Sequence, residues 1–167
     1  MTENNKPVDF AFVMLGSLYA AATSELISHF ASVSRALNPG GLYFLDWCVD
    51  FSWIADTTDS WTMERNGITV EVSYSSKLLN YIDQTFREKI TLLVKEGGST
   101  RRLQQDSIRR AIYPQEFLLI SGQQGFEFIG WWNNWDLNAP LTGTEEQVVR
   151  PITVLRKRQP TEKQRSG

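Results

Sequence analysis

Hydrophobic and polar positions change period several times along the chain, and each change predicts an element. Val8-Asp9-Phe10-Ala11-Phe12-Val13-Met14-Leu15 is a nearly continuous apolar run of strand length, closed by Gly16-Ser17. Runs of this kind mark strands buried on both faces, as in parallel sheets. The period then becomes helical. Leu26, Ile27, Phe30, Val33 and Leu37 fall on one stripe, Thr23 or Ser24 stands where a cap is wanted, and Glu25 lies in the first turn. Asn38-Pro39-Gly40-Gly41 ends the helix, because proline cannot extend it and glycine takes the left-handed turn. Leu42-Tyr43-Phe44-Leu45-Asp46-Trp47-Cys48 repeats the buried-strand pattern. Strand, helix and strand with short connections predict a βαβ unit.

Beyond Asp50 the period falls to two. Ile68, Val70, Val72 and Tyr74 alternate with Thr69, Glu71 and Ser73, and Phe86, Ile90, Leu92 and Val94 alternate with mostly polar neighbours. Asn66-Gly67 and Gly97-Gly98 sit where two-residue hairpin turns belong. An antiparallel insert of three or four strands with one wet face is therefore expected over about 57–112. Tyr113-Pro114-Gln115-Glu116 opens a second helix with proline in its first turn, and Gly122 or Gly125 ends it. Phe126 to Trp132 reads as a strand, Asn133 to Gln147 as a polar loop, and Val148 to Lys157 as a last strand. Pro151 places the start of that strand at a sheet margin. The whole predicts one α/β domain over 1–157 and a polar tail over 158–167.

Composition narrows the function classes. The 167 residues carry a formal charge of −2, which argues against a dedicated nucleic-acid binder. No apolar run approaches the roughly 20 residues of a membrane span, and the opening hexapeptide lacks the order of a secretory signal. A cytoplasmic protein is expected. One cysteine, Cys48, excludes an internal disulfide, and a lone histidine, His29, argues against a histidine-rich metal site. Six Trp are present, four of them in two clusters, Trp47 with Trp53 and Trp131 with Trp132. Such clusters line either a core or a concave ligand site.

The run Val8–Ser17, taken with Ala36-Leu37-Asn38-Pro39-Gly40-Gly41-Leu42-Tyr43-Phe44-Leu45-Asp46, resembles the second half of a class I, Rossmann-like S-adenosylmethionine-dependent methyltransferase. The β-rich insert, Arg110-Ala111-Ile112-Tyr113-Pro114-Gln115-Glu116-Phe117 opening a helix, and a last strand running into Leu155-Arg156-Lys157 resemble the subgroup acting on small acceptors. The resemblance covers nearly the whole chain and implies strands four to seven of the family's sheet. It also implies what is missing: the family binds its cofactor on strands one to three, with a glycine-rich loop after the first. The eleven glycines here include no G-x-G spacing. A partial enzyme is expected, cofactor-incompetent alone, whose strand Val8–Leu15 is an edge to be covered by a second copy or by a complementary N-terminal half.

By the same resemblance, Leu15, Gly16 and Ser17 flank S-adenosylmethionine, outside the carboxyl end of a parallel strand, where such sheets place ligands. Tyr19, Asp46, Trp47, Arg110 and Trp132 are the candidates for holding a small-molecule acceptor. Methyl transfer from a sulfonium needs in-line placement more than covalent help, so no catalytic residue can be demanded. No metal is expected. Each candidate has a plainer reading: a glycine-assisted strand exit at Gly16, a loop-capping carboxylate at Asp46, a core indole at Trp47, exposed charges at Arg109 and Arg110. Two rivals stand beside the methyltransferase. One is a non-catalytic dimerisation or small-ligand-binding module; the other, a hydrolase pairing Ser17 with His29, lacks the second glycine of a nucleophile elbow.

Overall fold

Residues 6–52, 55–144 and 147–160 are described by a computed structural model. In chain order its elements are β1 (Val8–Val13), α1 (Thr23–Ala36), β2 (Leu37–Asp46), β3 (Thr57–Arg65), β4 (Ile68–Asn80), β5 (Thr85–Glu96), β6 (Ser99–Arg110), α2 (Pro114–Gln123), β7 (Phe126–Asn133) and β8 (Pro151–Lys157). They form a mixed α/β fold divided into two units. Unit 1 draws on Met1–Leu18, Ala22–Ser52 and Ile112–Gly167, and unit 2 on Tyr19–Ala21 and Trp53–Ala111. Trp53 and the tail from 161 onward lie outside the described residues.

Unit 1 is built on a four-stranded sheet in the order β1-β2-β8-β7. β1 and β2 are parallel, and β8 runs antiparallel to both β2 and β7. Both helices bring their apolar residues to one face. Phe30 of α1 lies edge-on to Tyr43 of β2, Phe117 of α2 and Phe126 of β7, with ring centroids 5.6–6.2 Å apart. These rings, with Leu26, Leu45 and Leu155, are at most 1% exposed and form the core. Each such burial is worth about 1.5–3 kcal/mol.

The opposite face explains a correction at β1. The apolar run alone reads as a strand buried on both sides, whereas the resemblance implies an edge, and Val8, Phe10 and Phe12 are 46%, 51% and 60% exposed. β1 is the edge of its sheet, paired only with β2. Phe10 packs on Phe44 and Phe12 at 5.2 and 5.8 Å. These three rings share the face that the core helices leave bare, so an apolar strand of interior character stands at a margin.

Three boundaries also differ. α1 is capped by Ala22 with no side-chain hydrogen bond, so neither Thr23 nor Ser24 caps it. β2 starts at Leu37, because Asn38-Pro39-Gly40-Gly41 is absorbed as an irregularity opposite β1: Val8 pairs with Leu37, whereas Phe10 pairs with Leu42. Gly41 is required there, since a Cβ would lie 2.9 Å from the Asn38 carbonyl and 3.2 Å from that of Asp9. β8 begins at Pro151 and is interior to the sheet; proline is tolerated as its first residue, where no ladder N–H is needed.

Unit 2 is a four-stranded antiparallel meander, β3-β4-β5-β6. Asn66-Gly67 and Gly97-Gly98 all have positive φ, the conformation that two-residue hairpins need. Among the described residues no helix is long and apolar enough to cross a membrane.

Candidate functional site

The carboxyl ends of β1 and β2 are tied together by one buried carboxylate. Asp46, the last residue of β2, is 1% exposed. Its Oδ2 accepts from the Leu15 backbone N–H at 2.9 Å, and its two oxygens accept from Arg150 Nε at 2.7 Å and Nη2 at 2.5 Å. A bidentate guanidinium is among the strongest partners available to a carboxylate. Burial by itself raises the Asp46 pKa, but the hydrogen bonds from Arg150, Leu15 and Trp135, with the Arg150 charge, hold it below the usual 3.8. Arg150 is in turn placed by Asn133, whose Oδ1 accepts from the Val149 and Arg150 backbone N–H groups at 3.1 Å.

Around this clamp the backbone is strained. Leu15, Gly16 and Trp47 all have positive φ (55°, 66° and 59°). Left-handed backbone in a non-glycine residue persists only when its surroundings over-determine it. Here they do: Gly16 N–H donates to the Asp46 carbonyl at 2.9 Å and Trp47 N–H to the Pro151 carbonyl at 2.8 Å. A Cβ on Gly16 would lie 3.0 Å from the Trp47 carbonyl. The result turns two large side chains outward, Leu15 at 67% and Trp47 at 53% exposure. Trp47 also borders a cleft of about 390 Å³, with Phe51, Gln147, Val148 and Pro151 on its walls.

Unit 2 gathers a second polar cluster. Glu88 of β5 accepts from the Tyr74 hydroxyl at 2.8 Å and lies 3.6 Å from Arg109 Nε, both side chains of that ion pair being 13% exposed. The Arg109 guanidinium sits 4.6 Å over the Phe86 ring. Tyr19 joins the cluster through Glu88 and Ser107; burial, then the Glu88 charge, raises its pKa, and burial and Glu88 raise that of Tyr74 further. Both phenols therefore stay protonated and act as donors at neutral pH.

Of the residues singled out in the sequence, Leu15, Gly16, Ser17, Asp46 and Trp47 meet in unit 1. Trp132 belongs to the same unit, its ring laid over Gly130, while its neighbour Trp131 packs on Phe128 and Phe51 at 4.4 and 5.3 Å. Tyr19 and Arg110 fall in unit 2, joined through the Ala20 carbonyl, which accepts from Arg110 N–H at 2.7 Å. Ser17 Oγ bonds the Met14 carbonyl and His29 Nε2 the Tyr43 hydroxyl, so the hydrolase pair does not form. Cys48 is a buried small side chain. Arg109, its side chain 13% exposed, is half-buried rather than an exposed charge. Arg150 and Glu88 escaped the sequence reading: Arg150 lies 104 residues from Asp46, and Glu88 is one charge in an alternating strand.

No protein-family model and no curated protein matches the sequence. Solved structures do match. An S-adenosylmethionine-dependent methyltransferase from Clostridium acetobutylicum aligns over 95% of this chain and 62% of its own, at 14% identity and TM-score 0.73. DesVI from Streptomyces venezuelae aligns over 94% and 61%, at 17% identity and TM-score 0.72. CalS10 from Micromonospora echinaspora, described as an amino pentose methyltransferase, aligns over 94% and 61%, at 18% identity and TM-score 0.68. The chain thus has the fold of part of these methyltransferases, spanning about three fifths of the length of the structures it matches.

Proposed function

We propose that this chain is the acceptor-side part of an S-adenosylmethionine-dependent methyltransferase acting on a small molecule. The observation carrying this reading is the pair of parallel strands whose carboxyl ends present Leu15 and Trp47 outward, in a fold shared with enzymes of that activity. The donor fits one flank only. Leu15 and Trp47 offer it an apolar wall, and the Leu15–Ser17 backbone a fixed turn. No free carboxylate stands at these strand ends to take ribose hydroxyls, since both Asp46 oxygens are already bonded. When bound, the donor supplies an electrophilic methyl group, and this chain's residues orient what lies beside it and exclude water. Asp46 and Arg150 are positioning residues in this scheme. Of the other acceptor candidates, Trp47 and Trp132 lie in unit 1 with this turn, and Tyr19 and Arg110 lie in unit 2, where Glu88 fixes Tyr19.

The exposed β1 edge belongs to the same proposal. Free backbone donors and acceptors on an apolar strand are an open template for pairing, and a cofactor-binding half, on the same polypeptide or another, is the occupant that fits. Calorimetry with S-adenosylhomocysteine tests the reading. The described chain alone is expected to bind it weakly or not at all, and addition of a cofactor-binding half is expected to restore binding. Micromolar affinity of the chain alone would overturn it.

A further inference from the structure

The unit 2 meander ends on two edges, β3 and β6. β6 is the longer, 12 residues paired to β5 throughout, with no register shift and no proline. Bulges, prolines and short length ordinarily blunt an edge; β6 has none of them and is marked only by its charges. Two bonds at its end fix which groups face out. Ala111 N–H donates inward to the Gln84 carbonyl at 2.9 Å, and Arg110 N–H donates outward to the Ala20 carbonyl at 2.7 Å. Strand alternation then turns the N–H and C=O of Asp106, Gln104, Arg102 and Thr100 outward as well, and these have no backbone partner among the described residues. Tyr19–Ala21 thus already lies against one end of the edge, and the stretch from Thr100 to Asp106 is open.

The charges say what fits there. Four arginines and one aspartate lie on β6. Arg109 is committed to Glu88, 3.6 Å away, and Asp106 accepts from Gln104 Nε2 at 3.0 Å. Arg101 forms no ion pair among the described residues, and Arg102 reaches only the Gln104 amide oxygen at 3.4 Å. Successive side chains of a strand point to opposite faces, so these two neighbouring charges border the open edge on both sides. We propose that the edge from Thr100 to Asp106 takes an extended acidic segment of another protein as a fifth, antiparallel strand. In such augmentation backbone pairing supplies affinity and the alternating side chains supply selection. The complement follows from register. Two adjacent carboxylates stand opposite Arg102 and Arg101, one on each face, with a small apolar residue opposite Leu103 and a lysine opposite Asp106. None of the chain's own strands carries two adjacent carboxylates, so a second copy does not supply this complement.

Fluorescence anisotropy of a labelled peptide, Lys-Thr-Thr-Val-Glu-Glu, titrated with the full chain at about 0.15 M salt tests it. Saturable binding is expected with a Kd of about 100 μM or tighter. Exchanging both peptide Glu for Lys, or placing Arg101→Glu together with Arg102→Glu in the chain, should weaken it at least about tenfold, with the far-ultraviolet circular dichroism of the chain unchanged. Pairing itself is read from N-methylated peptides. A methyl group on the third residue's nitrogen, which faces β6, should abolish binding, and one on the fourth, which faces away, should leave it within about threefold. No saturation by about 500 μM chain, equal effects of the two methyl groups, or binding undiminished in the double Glu variant would overturn the proposal. Anisotropy that falls again at high chain concentration would assign the edge to a second copy and overturn it too. None of these readouts involves the methyl donor.

Discussion

At the scale of single residues, Asp46 and Arg150 carry more of unit 1 than any surface charge pair could. An exposed ion pair is worth about 0–1 kcal/mol, but removing one member of a buried pair strands the other without a partner and costs about 3–5 kcal/mol. Arg150→Met should therefore lower unfolding stability by about 3 kcal/mol, the Arg150 side chain being 28% exposed and its Asp46 partner 1%. Urea denaturation followed by Trp fluorescence measures this; a loss under about 1 kcal/mol would show that Asp46 finds another partner. Asp46 was legible in the sequence as a carboxylate ending a strand. Its partner was not, because nothing local marks an arginine 104 residues away as the one that will reach it. The strain at Leu15 and Trp47 was equally hidden, since positive φ in a leucine or tryptophan has no compositional sign. Gly16, where glycine suits such a backbone, was the one visible trace.

At the scale of elements, periodicity was informative wherever one period ran long enough. The alternation in β4 and β5 and the two glycine-bearing hairpins reappear in the fold; of the α1 stripe Leu26 and Phe30 are buried, whereas Ile27 is exposed and Leu37 opens β2. Boundaries followed other forces. Tertiary pairing drew Leu37–Gly41 into β2, and α1 did without a side-chain cap. The apolar run of β1 gave the right element and the wrong surroundings, since a strand's composition records the neighbours it suits and not those present in the chain described. This separates two phenylalanines. Phe30 is 0% exposed at the centre of the aromatic core, whereas Phe12 is 60% exposed on the β1 edge. Phe30→Ala should cost about 3–5 kcal/mol, and Phe12→Ala under about 1 kcal/mol, in line with a surface change. Equal losses in chemical denaturation would mean that β1 is covered in solution.

At the scale of the whole molecule, two titrating groups contribute to the acid side of its stability. Burial lowers the His29 pKa below 6.5 in the folded protein, and Asp46 sits below 3.8. For both, the unfolded chain binds protons first, so stability rises with pH through each window. The His29 contribution is complete above about pH 7 and falls as pH drops below 6.5; that of Asp46 follows as pH drops below 3.8. Denaturation midpoints measured from pH 8 to pH 3 should show both declines, and His29→Gln should erase the first. A midpoint flat from pH 7 to pH 5 would remove His29 from this account. Strand order has a further consequence for biosynthesis. β8 lies between β2 and β7, yet the ribosome makes it after both, and Arg150 emerges 104 residues after Asp46. At about 5–20 residues per second, β2 waits roughly 5–20 s with one flank unzipped and a lone anion at its tip. The nascent chain passes through that interval as its most vulnerable stage, and chaperone demand should peak there.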